Sequence, residues 1–178
     1  MAESPDTQDL DTPQLLETLS SDLRSLLQSR QIENPVMIGI HTGGVLVAEE
    51  LHKKLNIKQP LGSLNITFYR DDFTRIGMHP QVQPSNLPFA IDDQHIILVD
   101  DVLHTGRTIR AALNEIFDYG RPASVILVVL AERSGRELPI SADVAATRIK
   151  LDKNQHINLT RLDTESGGAL QLSIAESK

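Results

Sequence analysis

The sequence predicts an α/β protein built on a central, mainly parallel sheet flanked by helices. Two stretches, Ile96 to Asp100 and Ser124 to Ala131, are apolar on both faces, as strands covered by helices on either side are. Strand patterns alternate with helix patterns, which argues for strand–helix–strand units. The 178 residues, 40% hydrophobic and 23% charged, suit one soluble domain with a real core.

Met1 to Asp11 is acidic and polar and predicts a disordered tail, residues 1–11, ahead of a single domain over 12–178. Thr12-Pro13 reads as an N-cap followed by proline in the first turn. Leu16, Leu19, Leu23, Leu26 and Leu27 recur at helical spacing and mark a core-facing stripe. A strand over Val36 to Ile40 ends at the loop His41-Thr42-Gly43-Gly44, and a helix follows over about Val45 to Leu55. Leu64 to Tyr69 reads as a strand. From Arg70 to Asp93 periodicity stops and prolines intervene, the signature of a lid over an active site. Ile96 to Asp100 is a strand, Thr105 to Asp118 a helix stopped by Gly120 and Pro122, and Ser124 to Ala131 another strand. Val144 to Ile149, Ile157 to Leu159 and Ala169 to Ile174 read as short strands of a small antiparallel cap plus an edge strand, forming a hood over residues 134–178.

Composition excludes several classes. With no cysteine, the chain has no disulfide framework, thiolate zinc site or cysteine nucleophile. The six histidines show no metal-ligand spacing, and no serine sits in a nucleophile elbow. No apolar run approaches a membrane span, and the acidic start is unlike a signal peptide, so the expected location is cytoplasmic. A net charge of −7 argues against whole-molecule attraction to nucleic acid.

The segment Ile96 to Thr108 carries the chemistry. Asp100 and Asp101 emerge at the carboxyl end of a buried strand, where open α/β sheets bind ligands. Adjacent carboxylates repel, so a ribose diol or a hard cation is expected to satisfy them. Thr105, Gly106, Arg107 and Thr108 then lead into a helix. Gly106 permits close backbone approach, the helix start favours phosphate, and the two threonines add hydroxyl donors. A bare Asp-Asp pair would be read as a solvated feature and Thr105 as a helix cap. The complete pattern instead has the layout of a ribose 5-phosphate site. It is not a Walker loop.

That segment resembles the 5-phosphoribosyl-1-pyrophosphate (PRPP) motif of type I phosphoribosyltransferases. More narrowly, from about Leu15 onward the chain resembles the bacterial pyrimidine operon attenuation regulator/uracil phosphoribosyltransferase (PyrR) family. The most specific pieces are Ile66-Thr67-Phe68-Tyr69-Arg70-Asp71-Asp72, Ile97 through Arg110, Gly120-Arg121-Pro122 and Arg136-Glu137-Leu138-Pro139-Ile140. The resemblance implies the type I fold with a small C-terminal hood, and the transfer of phosphoribose from PRPP to uracil, giving UMP and pyrophosphate. It implies that Asp100 and Asp101 hold the ribose hydroxyls and that His104, Thr105, Gly106, Arg107 and Thr108 form the 5-phosphate loop. Thr42, Gly43 and Gly44 would receive pyrophosphate, with Arg70 neutralising it. Glu132 and Arg133 would face the magnesium–pyrophosphate side. Magnesium would be held by Asp100, Asp101 and Glu132, largely through PRPP and water. The hood after Leu138 would recognise uracil. Regulation of pyrimidine genes and assembly as a homodimer or homotetramer are also implied.

This chain departs from the family pattern at four places. The usual Thr-Arg-Gly of the pyrophosphate loop is Thr42-Gly43-Gly44, which removes a cation. The usual Asp-Arg at the strand end is Glu132-Arg133. The usual aromatic after Ala142-Asp143 is Val144, which predicts lost base stacking. The first helix is nearly without positive charge, the usual His before Arg136 is Gly135, and a usual later Arg is Ser141, so RNA binding is expected to be weak or absent. Two functions remain open at this point: an active uracil phosphoribosyltransferase, or a UMP/PRPP-sensing transcriptional regulator with little catalysis. A purine-type enzyme fits the family-specific stretches less well.

Overall fold

A computed structural model describes residues 8–66, 84–163 and 168–176 of the chain. In chain order the elements are β1 (Gln8–Asp9), α1 (Thr12–Ser29), β2 (Val36–Ile40), α2 (Gly43–Leu55), β3 (Gly62–Leu64), β4 (His95–Leu103), α3 (Arg107–Tyr119), β5 (Ser124–Arg133), β6 (Val144–Ile149), β7 (Gln155–Arg161) and β8 (Leu170–Glu176). The central sheet runs β3-β2-β4-β5-β6, with every pairing parallel. A second sheet, β1-β8-β7, is antiparallel.

Strand alternation divides the core into two layers. Met37, Ile97, Val99, Ile126, Val128 and Leu130 face α1 and α2, meeting Leu16, Leu19, Leu23, Leu27, Val47 and Leu51. Val36, Ile38, Ile40, Ile96, Leu98, Leu127 and Val129 face the other way, toward Ile109, Ala112 and Ile116 of α3. The apolar stripe of α1 therefore packs as its spacing predicts, with Leu26 only partly buried.

The chain leaves β2 toward β3 on one side and returns to β4 on the other, so the topology reverses between β2 and β4. Open α/β sheets bind ligands at the carboxyl ends of strands flanking such a reversal. Among the described residues no helix is long and apolar enough to cross a membrane.

Several boundaries differ from expectation. Gln8–Asp9 of the expected tail pair with Ile174 and Ser173 of β8, and residues 1–7 lie outside the described residues. The α1 cap is Asp11, whose side chain accepts the Gln14 N–H at 3.1 Å. The Thr12 hydroxyl is used otherwise, donating to the Leu10 carbonyl at 3.2 Å and accepting the Leu172 N–H at 2.7 Å. Helix α2 begins at Gly43 rather than Val45, and β4 and β5 run on to Leu103 and Arg133. Of the expected strand Leu64 to Tyr69, residues 67–69 lie outside the described residues, as do residues 70–83 of the expected lid, Arg70 among them. Residues 84–93 of that expected lid are mostly exposed but tied to the fold: Ile91 is buried, and Asn86 bridges to Ser63. The hood follows expectation: β6 joins the main sheet in parallel as its edge strand, and β7 and β8 pair antiparallel.

Candidate active site

A cavity of about 890 Å³ opens at the carboxyl ends of β2 and β4, at the reversal of strand order. It is lined by His41, Thr42 and Gly43 after β2 and by Asp100 to Thr108 around the end of β4, with Arg133 and Glu137 along one side. Sequence reasoning had placed Thr42, Gly43, Asp100, Asp101, His104, Thr105, Gly106, Arg107, Thr108 and Arg133 at one site, and the fold brings all ten to this cavity.

The two aspartates are held differently. Asp100 is buried, and its Oδ1 accepts the Asp101 N–H at 2.9 Å. Asp101 is partly exposed, and its Oδ1 accepts the Val102 N–H at 2.9 Å. Its other oxygen lies over the start of α2: a Cβ built on Gly43 would fall 2.1 Å from Asp101 Oδ2. Gly43 is thus the only kind of residue that leaves this carboxylate where it is. Gly44 does not line the cavity. It lets α2 approach β4, since a Cβ there would fall 2.5 Å from the Val99 carbonyl oxygen.

Helices α2 and α3 both begin at the cavity, and neither N-cap residue, Thr42 or Gly106, makes a side-chain cap bond. The first amides of a helix lack intrahelical acceptors and carry the positive end of the dipole, so both starts can donate to an anion. Gly106 sits at φ +93° immediately before α3, in the left-handed region that favours glycine. Thr105 Oγ1 accepts the Arg107 N–H at 3.2 Å, which turns the chain into the helix. The hood strap over residues 134–140 is latched to this loop. The Glu137 and Leu138 N–H groups both donate to the Thr105 carbonyl at 3.0 Å, and Arg107 Nε donates to Glu137 Oε2 at 2.9 Å.

Glu132 does not reach the cavity. Alternation along β5 puts it on the face opposite Arg133, where it accepts from Arg148 Nε at 3.1 Å. The expectation that both residues of the Glu-Arg pair face one ligand treated neighbours in a strand as pointing the same way. Arg133 lines the cavity, with its Nε–H buried and without a hydrogen-bond acceptor. The expected loss of base stacking at Val144 has a different cause: position 144 is 6% exposed in the core cluster facing α1, so no side chain there faces this cavity. Position 135 has a structural reason to be glycine. It adopts φ +108°, and a Cβ would fall 2.8 Å from His104 Nε2. Partial burial of His104, then the positive charge of Arg133, hold its imidazole below the usual value, with Glu137 acting in the opposite direction.

Glu137, His156, Ile157 and Ile66 line the cavity without having been singled out as site residues. Glu137 had a visible signal, since it lies in one of the family-specific stretches. His156, on an antiparallel strand distant in sequence, had none.

The comparisons with known proteins agree with this geometry. The family described as "Phosphoribosyl transferase domain" matches residues 10–164. "Bifunctional protein PyrR" of Nitrosococcus oceani is 58% identical over 161 residues, covering 89% of this chain and 91% of that protein. The chain belongs to the PyrR family of type I phosphoribosyltransferases. The protein of the same description from Pseudomonas paraeruginosa is 59% identical over 146 residues, covering 82% of this chain and 86% of its own length. Among solved structures, a hypoxanthine-guanine-xanthine phosphoribosyltransferase aligns with a TM-score of 0.57 at 19% identity, covering 83% of this chain and 79% of that one. A purine phosphoribosyltransferase from Pyrococcus horikoshii Ot3 aligns with a TM-score of 0.57 at 24% identity, covering 78% of this chain and 82% of its own. At these identities the structural likeness shows the phosphoribosyltransferase fold alone and says nothing of the base.

Proposed function

We propose that this PyrR-family protein transfers phosphoribose from PRPP to uracil, giving UMP and pyrophosphate, and regulates pyrimidine biosynthesis genes from the same pocket. One observation carries the reading: a single cavity holds an aspartate pair between the starts of two helices. PRPP has that pattern, a ribose diol between two phosphate groups. The relatives' shared description as bifunctional supports the pairing of an enzyme with a second role.

In this reading the ribose hydroxyls donate to Asp100 and Asp101, and the 5-phosphate accepts from the start of α3 and from the Thr105 and Thr108 hydroxyls. Pyrophosphate lies toward Thr42 and Gly43, with Arg70 supplying positive charge. A uracil nitrogen forms a bond to the anomeric carbon as the bond from that carbon to the pyrophosphate oxygen breaks. The uracil proton leaves for solvent, and no side chain is assigned as its base. Negative charge grows on the departing pyrophosphate and positive charge on the ribose ring, so donors fixed before reaction lower the barrier. Asp100 and Asp101 offer the oxygen donors magnesium prefers. No group of three His, Asp or Glu side chains among the described residues could hold a metal. The two aspartates therefore fit a magnesium ion coordinated mainly by PRPP oxygens and water, which would neutralise the leaving group. Glu132, bound to Arg148, is not among its ligands.

A second reading, a sensor with little catalysis, is favoured by one observation. The Asp101 carboxylate lies over Gly43, where pyrophosphate would need positive charge. UMP lacks pyrophosphate and would not meet that repulsion. Labelled uracil with PRPP and magnesium, run beside hypoxanthine and guanine, separates the readings. UMP formation with no purine nucleotide is expected. PRPP binding without UMP formation rejects the enzyme.

A further inference from the structure

Away from the cavity, one buried carboxyl group has no part in the chemistry above. Glu115, in the middle of α3, is 6% exposed. Its Oε1 accepts the Ser85 hydroxyl at 2.6 Å, and its Oε2 is buried without a hydrogen-bond partner. Ser85 Oγ in turn accepts the Asn65 N–H at 2.9 Å. A hydroxyl has one hydrogen, so Ser85 donates toward Glu115 and accepts from Asn65, a relay with a fixed direction. Beside it, Ser63 and Asn86 exchange two backbone hydrogen bonds of 2.8 Å each. The stretches on either side of residues 67–83 are thereby drawn together and fastened to α3.

Stability alone does not account for this arrangement. A buried carboxyl satisfied by one neutral donor, with its second oxygen unpaired, costs more in lost hydration than the bond returns, and an apolar side chain of similar length would avoid that cost. The location is more informative. Glu115 lies on the helix that begins at the phosphate loop, and Ile66, next to Asn65, lines the cavity. The relay therefore joins two walls of one site.

We propose that Glu115 is a positioning residue for ligand binding, which acts through Ser85 to fix the Asn65–Ile66 backbone relative to α3 and its phosphate loop. The proposal rests on the PRPP reading of the cavity.

Three variants of the full chain test it: Glu115→Met, Ser85→Ala and Ser85→Thr. Each is measured by thermal unfolding, hydrogen exchange at the Asn65 amide, and calorimetric titration with magnesium–PRPP. Glu115→Met should melt no lower than the parent, because it removes a buried unpaired oxygen, yet bind PRPP about tenfold more weakly because a wall of the site has shifted. A purely structural residue would not combine those signs. Ser85→Ala should weaken PRPP binding similarly and speed Asn65 exchange about tenfold, while Ser85→Thr, which keeps the hydroxyl, restores both. Unchanged PRPP affinity in Glu115→Met and Ser85→Ala overturns the proposal, as does a loss that Ser85→Thr fails to restore. A parent protein that binds no PRPP rejects the functional reading of the cavity. The exchange arm then still decides the relay: unaltered Asn65 exchange in Ser85→Ala overturns it.

Discussion

Gly43 and Gly44 are adjacent in the first turn of α2, yet alanine should cost stability at Gly44 and not at Gly43. A Cβ on Gly44 would meet backbone: the Val99 carbonyl oxygen at 2.5 Å and Asp100 Cα at 3.0 Å. To reach ordinary contact at 3.4 Å, the helix start must retreat from β4 by roughly 0.9 Å. Overpacking of this kind costs about 1–3 kcal/mol, and the better helix propensity of alanine returns up to about 1 kcal/mol. The net loss is roughly 1–2 kcal/mol, which lowers Tm by about 2–8 °C in a domain of this size. Both surfaces that separate belong to the candidate site, and a misplacement near 1 Å can cost about a hundredfold in activity. Gly44→Ala should therefore lose stability and PRPP affinity together. At Gly43 the three atoms nearest a Cβ all belong to the Asp101 side chain, at 2.1 Å from Oδ2, 2.4 Å from Cγ and 3.0 Å from Cβ. A side chain can rotate away, at the loss of the 2.9 Å bond from the Val102 N–H. Gly43→Ala should melt within about 0.5 kcal/mol of the parent and still bind magnesium–PRPP with altered affinity. Differential scanning calorimetry and titration calorimetry read both quantities. If Gly44→Ala keeps its Tm, or Gly43→Ala binds PRPP as the parent does, the packing argument at this loop is wrong.

Two further predictions follow from the same geometry. His104 should titrate below the ordinary imidazole value of about 6.5. Because the unfolded chain takes up that proton first, the site contributes no penalty well above that pH, and stability is lost as pH falls through the interval down to the folded pKa. NMR titration should show the low midpoint and a further drop in Glu137→Gln, since Glu137 raises it. A midpoint at or above the ordinary value contradicts the burial argument. RNA binding should be weak, because Arg24 is the only cation within α1 and its guanidinium donates to the Lys54 carbonyl at 3.1 Å, while Arg30, just past α1, is paired with Asp143. Filter binding with pyrimidine-operon leader RNA and UMP tests this; salt-sensitive, sequence-selective binding at nanomolar protein would sink it.

The sheet and most of the site were legible because their signals are local. Two fully apolar strands announced a covered parallel sheet, and Asp100 to Thr108 carries its chemistry in consecutive residues. What was missed depended on partners distant in sequence or on strand parity. Thr12 looked like a cap, but Leu172 claims its hydroxyl, and Asp11 caps instead. Gln8 and Asp9 looked like a free tail, but β8 supplies a strand to pair with. Glu132 looked like a site residue because Arg133 follows it, while alternation along β5 turns it away, and position 144, expected to face the base, packs into the core instead. Gly43 read as a missing cation, and the fold shows that the space beside it is filled by an anion. Glu115, one glutamate on a helix, carried no mark in the sequence of its bond to Ser85.

The aspartate pair is the center of the account, and it can be tested without turnover. Asp100→Asn with Asp101→Asn keeps an oxygen at each position to accept the Asp101 and Val102 N–H groups, so the fold should survive. Titration of magnesium–PRPP into the parent and the double variant, with Tm measured for both, should show binding in the parent and none in the variant at unchanged Tm. Equal affinity in the two proteins would contradict the assignment of this cavity to PRPP.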